Sequence, residues 1–190
     1  MERVENTQFV DTSILKASGS EASMKKIVLI GCGGAGKSTL ARQMGERLKI
    51  RVHHLDTLHW KPNWEMTARE EQEAIQRALT EEEEWIMDGH YGSTLPIRLK
   101  ACDTIVFLDM PRTLCIYRAI KRFLTYRNKT RPDMREGCEE KLDLPFLKWI
   151  WDFPKHKKPQ VLEEVRRYSE GKRVLILRSR KEVQQFVSQL

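Results

Sequence analysis

Gly31, Gly33, Gly34, Ala35, Gly36, Lys37, Ser38 and Thr39 lie within nine consecutive positions, "GCGGAGKST". Residues of these types at this spacing can hold a polyphosphate. Glycines let the backbone curl and turn its N–H groups inward onto phosphate oxygens. A lysine directly after the last glycine reaches the β- and γ-phosphates, and a hydroxyl beside it ligates Mg²⁺. The pattern Gly31-x-x-x-x-Gly36-Lys37-Ser38 is complete. Cys32, inside the loop, reads as a small side chain rather than a reactive thiol.

Other groups with chemical capacity are spread along the chain. Asp56 closes the run "IRVHHLD". It can accept a proton from a substrate hydroxyl or cap local backbone, and both readings stand. Asp88 and Asp109 each follow an apolar run. One of them orients the water shell of a bound metal, and spacing alone does not choose between them. The two tryptophans of "HWKPNW", Trp60 and Trp64, form either a substrate wall or a small satellite core. His53 and His54 read as packing residues.

These groups need a scaffold that brings them together. Lys26–Ile30 is a short β-branched run suited to a buried parallel strand, and Leu40, Met44 and Leu48 give the next segment a helical period. Further strands are expected at 50–56, around "EWIMDGH", in "DTIVFLDMP" and in "GKRVLILRS". Thr67-x-x-Glu70 reads as a capping box opening a helix over 68–83, with Glu81–Glu84 as a solvated end. Ser179-x-x-Glu182 reads as a second box before Val183, Phe186, Val187 and Leu190. Strands alternating with helices imply an α/β fold with a parallel sheet covered on both sides. Ligands in such sheets sit at the carboxyl ends of the strands.

A length of 190 residues suits one domain with a substantial core. Residues 1–23 are polar and aperiodic, and read as a disordered extension or cloning remnant ahead of a domain over 24–190. No early apolar run is long enough for a signal peptide or membrane span. The four cysteines are scattered without a CxxC pair, which suits a reducing cytoplasm. Net charge is +7, and Arg112–Arg135 alone holds eight basic residues against Asp133, also +7. Such a concentrated patch suggests a polyanionic partner.

The order "GCGGAGKST", "HHLDTLHWKPNW", "WIMDGHY", "IVFLDMPRTLCIYRAIKR" and "RPDMREGC" resembles the topology-modulation (FlaR-like) proteins, relatives of adenylate kinase among the P-loop kinases. The resemblance runs from about Met24 to Leu190. It implies a three-layer α/β/α fold, a five-stranded parallel sheet of order 2-3-1-4-5 and a small mobile lid at about 123–138. That order puts Asp88 beside the loop strand, as the metal-side carboxylate. Arg118 and Arg122 resemble the RxxxR element opening the lid of nucleotide kinases. Arg118 would stack on adenine or touch phosphate, and Arg122 would meet the γ-phosphate. Arg131 and Arg135 resemble lid arginines that arrive on closure. "DGHYGSTLPIR" resembles the DGFPR element but departs from it, with Arg98 arriving late for an acceptor-phosphate role. Ser179 stands among the nucleotide-binding candidates.

The first functional reading is a kinase that moves the γ-phosphate of Mg·ATP to a small acceptor such as a nucleotide. Lys37, Asp56, Arg118, Arg122, Arg131 and Arg135 would be its catalytic set. A nucleic-acid-associated ATPase or regulator of DNA topology is the first alternative, less favoured because the basic residues fall where a lid would sit. A non-catalytic nucleotide sensor is the second. The acceptor and the oligomeric state are left open.

Overall fold

The computed structural model describes residues 24–190; the expected extension over 1–23 lies outside the described residues. The main sheet holds β1 (Lys26–Gly31), β2 (Val52–His54), β5 (Trp85–Asp88), β6 (Thr104–Leu108) and β7 (Arg173–Leu177). All neighbours are parallel, in the order β2-β5-β1-β6-β7. Counting these five strands along the chain, the order is 2-3-1-4-5, as the resemblance implies. Ile27, Val28, Leu29 and Ile30 of central β1 are all fully buried. A strand buried at successive positions is covered on both faces, which explains its unbroken apolar sequence.

Helices supply the two covers. α1 (Lys37–Leu48) packs on β1, β2 and β5 beside α8 (Arg180–Ser188). α3 (Arg69–Thr80), α4 (Leu95–Ala101) and α7 (Lys158–Arg167) form a second contiguous set, with α4 against β1. α6 (Leu144–His156) joins α7 to α5 (Arg112–Tyr126). Ile150 and Phe153 of α6 enter the core, so "LPFLKWIWDF" packs on the sheet layer, although Trp151 stays half exposed. Among the described residues no helix is long and apolar enough to cross a membrane.

Two local expectations need correction. The run 50–56 is not strand throughout. β2 stops at His54, and Leu55–His59 forms a one-turn helix, α2, with Asp56 in its first turn. Leu55 is fully buried, which draws the chain inward at that point. Thr67 does not cap α3. That helix runs over Arg69–Thr80 from an Ala68 N-cap without a side-chain bond, because the Thr67 hydroxyl donates to the His59 carbonyl at 3.0 Å. This bond ties α3 to α2 instead. The Ser179 box does form: Ser179 Oγ accepts from Glu182 N at 3.2 Å and Glu182 accepts from Arg178 N at 2.8 Å.

A second, two-stranded sheet sits beside the first. β3 (Trp60–Lys61) pairs antiparallel with β4 (Glu65–Met66) through a turn in which Asn63 and Trp64 take positive φ. The segment after α5 clamps this hairpin. Asn63 N donates to Gly137 O at 2.9 Å, and Trp64 Nε1 to Glu139 O at 2.8 Å. That segment also closes on itself, with Glu140 N donating to Lys129 O at 3.0 Å.

Candidate active site

The site begins at the end of β1. Gly31 leaves the strand, and the Ala35 N–H closes the turn on the Cys32 carbonyl at 3.2 Å. Gly34 and Gly36 hold φ of +75° and +101°, conformations that cost a residue with a Cβ. At Gly34 space is also absent, since a Cβ would stand 2.3 Å from the Cys115 carbonyl of α5. The loop is thus wedged between α1 and α5. Lys37 Nζ donates to the carbonyls of Gly31 and Cys32 at 3.1 and 2.9 Å, which folds it over the mouth of the loop. Cys32 is buried, and its neighbour Cys115 together with burial pushes the thiol pKa far up, so it stays protonated.

Sheet register places Asp88, the carboxylate expected on the metal side, next to the loop. Asp88 lies opposite Leu29 of β1 and opposite His54 of β2. From there it accepts a bond from Ser38 Oγ at 2.7 Å and meets His54 Nδ1 at 2.5 Å. Burial works against protonation of His54, but the hydrogen bond and charge of Asp88 outweigh it and raise the histidine pKa. Asp109 is elsewhere engaged. Lys158 Nζ holds it at 2.7 Å and Arg178 Nε lies 3.9 Å away. Of the two carboxylates that spacing alone leaves open, Asp88 is the one beside Ser38, the one the resemblance implies.

Arg118, on α5, donates to the Ala35 carbonyl at 2.9 Å and so lies on the loop itself. One turn further, Arg122 Nε bonds Glu140 Oε1 at 2.7 Å. Arg131 is buried and donates to Asp56 Oδ2 at 2.9 Å, while Tyr91 OH donates to Asp56 Oδ1 at 2.7 Å. Asp133 and Glu140 lie within 4.0 Å and 3.8 Å of Arg131 Nε. Burial works against ionisation of Asp133, but the Arg131 guanidinium beside it outweighs this and holds the carboxyl below its usual range. One cleft of about 830 Å³ connects all of these, from Lys37, Ser38, Thr39 and Arg118 to Asp56, Asp88 and Arg131. Trp60, Trp64, Tyr91 and Trp149 form its aromatic walls.

Three sequence candidates are not brought in. Arg98 is fully buried, with its guanidinium spent on the carbonyls of Gly89 and His90 at 2.9 and 3.2 Å, so it braces the Asp88–Tyr91 turn instead of meeting an acceptor. Its burial lowers even this guanidinium's pKa, to about 10. The Ser179 hydroxyl is used in capping α8. Arg135 is exposed and stands outside the cleft lining. The basic patch is also partly turned inward, since Arg118, Arg122 and Arg131 face the cleft. Sequence reasoning missed His54, Tyr91, Asp133 and Glu140. For His54 a signal existed: it stands two positions before Asp56 on the strand that pairs with Asp88.

No protein-family model matches this sequence, and no curated protein matches it. Solved structures do. A shikimate kinase from Acinetobacter baumannii, in complex with shikimate, superposes with a TM-score of 0.57 at 21% identity, over 88% of this chain and 90% of that one. An unliganded sugar kinase from a Janibacter species gives 0.51 at 14% identity, over 87% and 91%. At such identities the likeness establishes the fold alone, a three-layer α/β/α architecture with a parallel five-stranded sheet.

Proposed function

We propose that the protein is an ATP-dependent phosphotransferase that moves the γ-phosphate of Mg·ATP to the hydroxyl of a small acceptor, and that it is a topology-modulation (FlaR-like) relative of adenylate kinase. The observation that carries this reading is the single cleft joining the Lys37–Ser38–Asp88 group to the Asp56 carboxylate. A phosphate grip at one end and a hydroxyl acceptor's carboxylate at the other are the two halves of a transfer site.

The donor set suits a phosphate-bound Mg²⁺: a hydroxyl and a carboxylate oxygen already in contact, with a lysine alongside. Bound there, the ion neutralises charge on the phosphate oxygens. The protein's own groups do the rest. Lys37 exchanges its two loop carbonyls for phosphate oxygens. Arg118, anchored on the loop, supplies positive charge at the same end. Asp56 holds the acceptor hydroxyl and takes its proton, oriented by Tyr91 and Arg131 on its two oxygens. Arg131 and Arg122, paired with Asp56 and Glu140, hold the acceptor-side carboxylates in place. The loop after α5 covers the site and keeps water, a competing acceptor, away.

Three measurements test this together. Saturating Mg·ATP is expected to raise the melting temperature and to give heat in calorimetry. ADP release is expected to depend on a small acceptor. DNA is expected not to stimulate it; turnover driven by DNA alone would favour the ATPase alternative. ATP binding with no acceptor-dependent turnover would leave a nucleotide sensor.

A further inference from the structure

The acceptor end of the cleft carries a charge balance that says what it can take. Its two inward guanidiniums are both committed: Arg131 to Asp56 at 2.9 Å, and Arg122 to Glu140 at 2.7 Å. Asp133 stands 4.0 Å from Arg131 as a third carboxylate. Among the described residues, these three inward-facing acids against two arginines give −1, before the exposed Arg42 and Lys141 and the Asp88–His54 pair are counted. The Asp133 and Glu140 side chains are only 15% and 4% exposed, so solvent screens them little. Glu140 Oε2 is buried without a hydrogen bond, and so is Arg131 Nε opposite it. The remaining cations there, Arg42 and Lys141, are exposed, and Lys141 Nζ sits 5.7 Å over the Trp64 ring. Arg98, placed by its sequence position for an acceptor phosphate, is walled off behind the turn.

A phosphorylated acceptor would bring two further negative charges to this end, where both inward guanidiniums among the described residues, Arg122 and Arg131, are already paired. Like charges brought together out of water repel strongly, and the paired arginines can be taken from their carboxylates only by stranding those carboxylates. The walls have the opposite preference. The Trp60 and Trp64 rings meet edge to face, centroids 5.5 Å apart, and make an apolar corner in the same cleft that Asp56 lines. A corner of this kind takes the flat or apolar face of a ring. The Asp56 carboxylate accepts a hydrogen bond from an alcohol.

Resting on the phosphotransferase reading above, we infer that the acceptor is an uncharged, ring-bearing alcohol, of the chemistry shared by nucleosides and cyclic polyols, and not a phosphorylated or carboxylated compound. Transfer then breaks the bond between the γ-phosphorus and its bridging oxygen and forms one from the acceptor oxygen to that phosphorus. The hydroxyl proton passes to Asp56, and the bridging electron pair leaves with ADP.

The full chain with Mg·ATP is assayed for ADP release against nucleosides, cyclic polyols, nucleoside monophosphates and carboxylated polyols, with ATP binding followed separately by calorimetry. The expected result is turnover of an uncharged arm with kcat/KM about a hundredfold above any anionic arm. The nucleoside and polyol arms then identify the source of the ring. Glu140→Gln, which removes one negative charge, is expected to narrow that ratio, and Trp64→Ala to raise KM for the uncharged acceptor with kcat little changed. A preference for monophosphates or carboxylated polyols overturns the inference and leaves the phosphotransferase standing. ATP binding without turnover of any uncharged ring alcohol also overturns it. Absence of ATP binding removes the phosphotransferase reading first.

Discussion

The two ends of the cleft are built by different means. The donor end is almost contiguous: Gly31 to Thr39 form one strand-to-helix turn, and its contacts to Lys37 are five and six residues apart. The acceptor end is assembled from afar. Arg131 reaches Asp56 across 75 residues, and Tyr91 reaches it across 35. At the proposed donor end, the glycine backbone and Lys37 are shaped to grip a phosphate, and positive charge predominates. At the acceptor end, side chains from separate segments neutralise one another. The loop's own turn is set locally, with Asp88 and Arg118 added from β5 and α5, whereas the acceptor end exists only once the post-α5 loop has docked on the β3–β4 hairpin.

Substitutions can pull this contrast apart. Lys37→Ala is expected to have the largest effect, lowering acceptor-dependent ADP release by more than about a hundredfold. Its folded signal in circular dichroism and urea midpoint is expected to change little, because Lys37 bonds only two loop carbonyls that water can serve. A large loss of stability would show that the donor end is not self-contained.

Acid titration comes next in size. Burial holds His59 and His90 neutral, with pKa values lowered to about 4 and 3. Above the unfolded value of about 6.5 these groups are neutral in both states and cost nothing. As pH falls below it, the unfolded chain binds protons that the folded one refuses, so stability declines toward those lowered values. Each histidine contributes about 1.4 kcal/mol per pH unit. His54 has the opposite sign: its pKa is raised, so its contribution is full below about pH 6.5 and fades as pH rises through the folded value. Urea midpoints from pH 4 to 8 are expected to fall on the acid side. His90→Phe should flatten that fall, and His54→Gln should flatten the change on the basic side.

Arg131→Ala is expected to cost about 2 kcal/mol in urea unfolding. This is below the figure for a fully buried pair because Asp56 is 37% exposed and partly screened. Proteolysis at 127–140 should become faster while ATP affinity is retained. ATP affinity falling as much as turnover would erase the proposed division between the two ends. Gly34→Ala is expected to cost about 1–3 kcal/mol from its positive φ, with the Cβ clash on the Cys115 carbonyl adding to it. It should weaken ATP binding by pushing α5, and Arg118 with it, off the loop.

The degree to which each part could be read in advance follows the same division. The loop was legible because seven or eight neighbouring residue types specify its shape, and the five strands because each is a short apolar run with a turn after it. The break at Leu55, which turns the expected end of β2 into α2, was hidden because an apolar residue continues either element. Thr67 looked like a cap by spacing, yet its hydroxyl found a carbonyl on α2. Arg98 resembled an acceptor-site residue in a linear motif, but the turn it braces folds back over it.

The sequence by itself determined that a phosphate loop sits between the first strand and first helix of a parallel α/β sheet, because spacing and period act within a few residues of chain. Only the tertiary structure decided that Asp88, not Asp109, faces Ser38, and that Arg131 and Arg122 are spent on Asp56 and Glu140. Strand order and loop docking set those distances, and the charge left at the acceptor end is a sum over segments that only folding brings together.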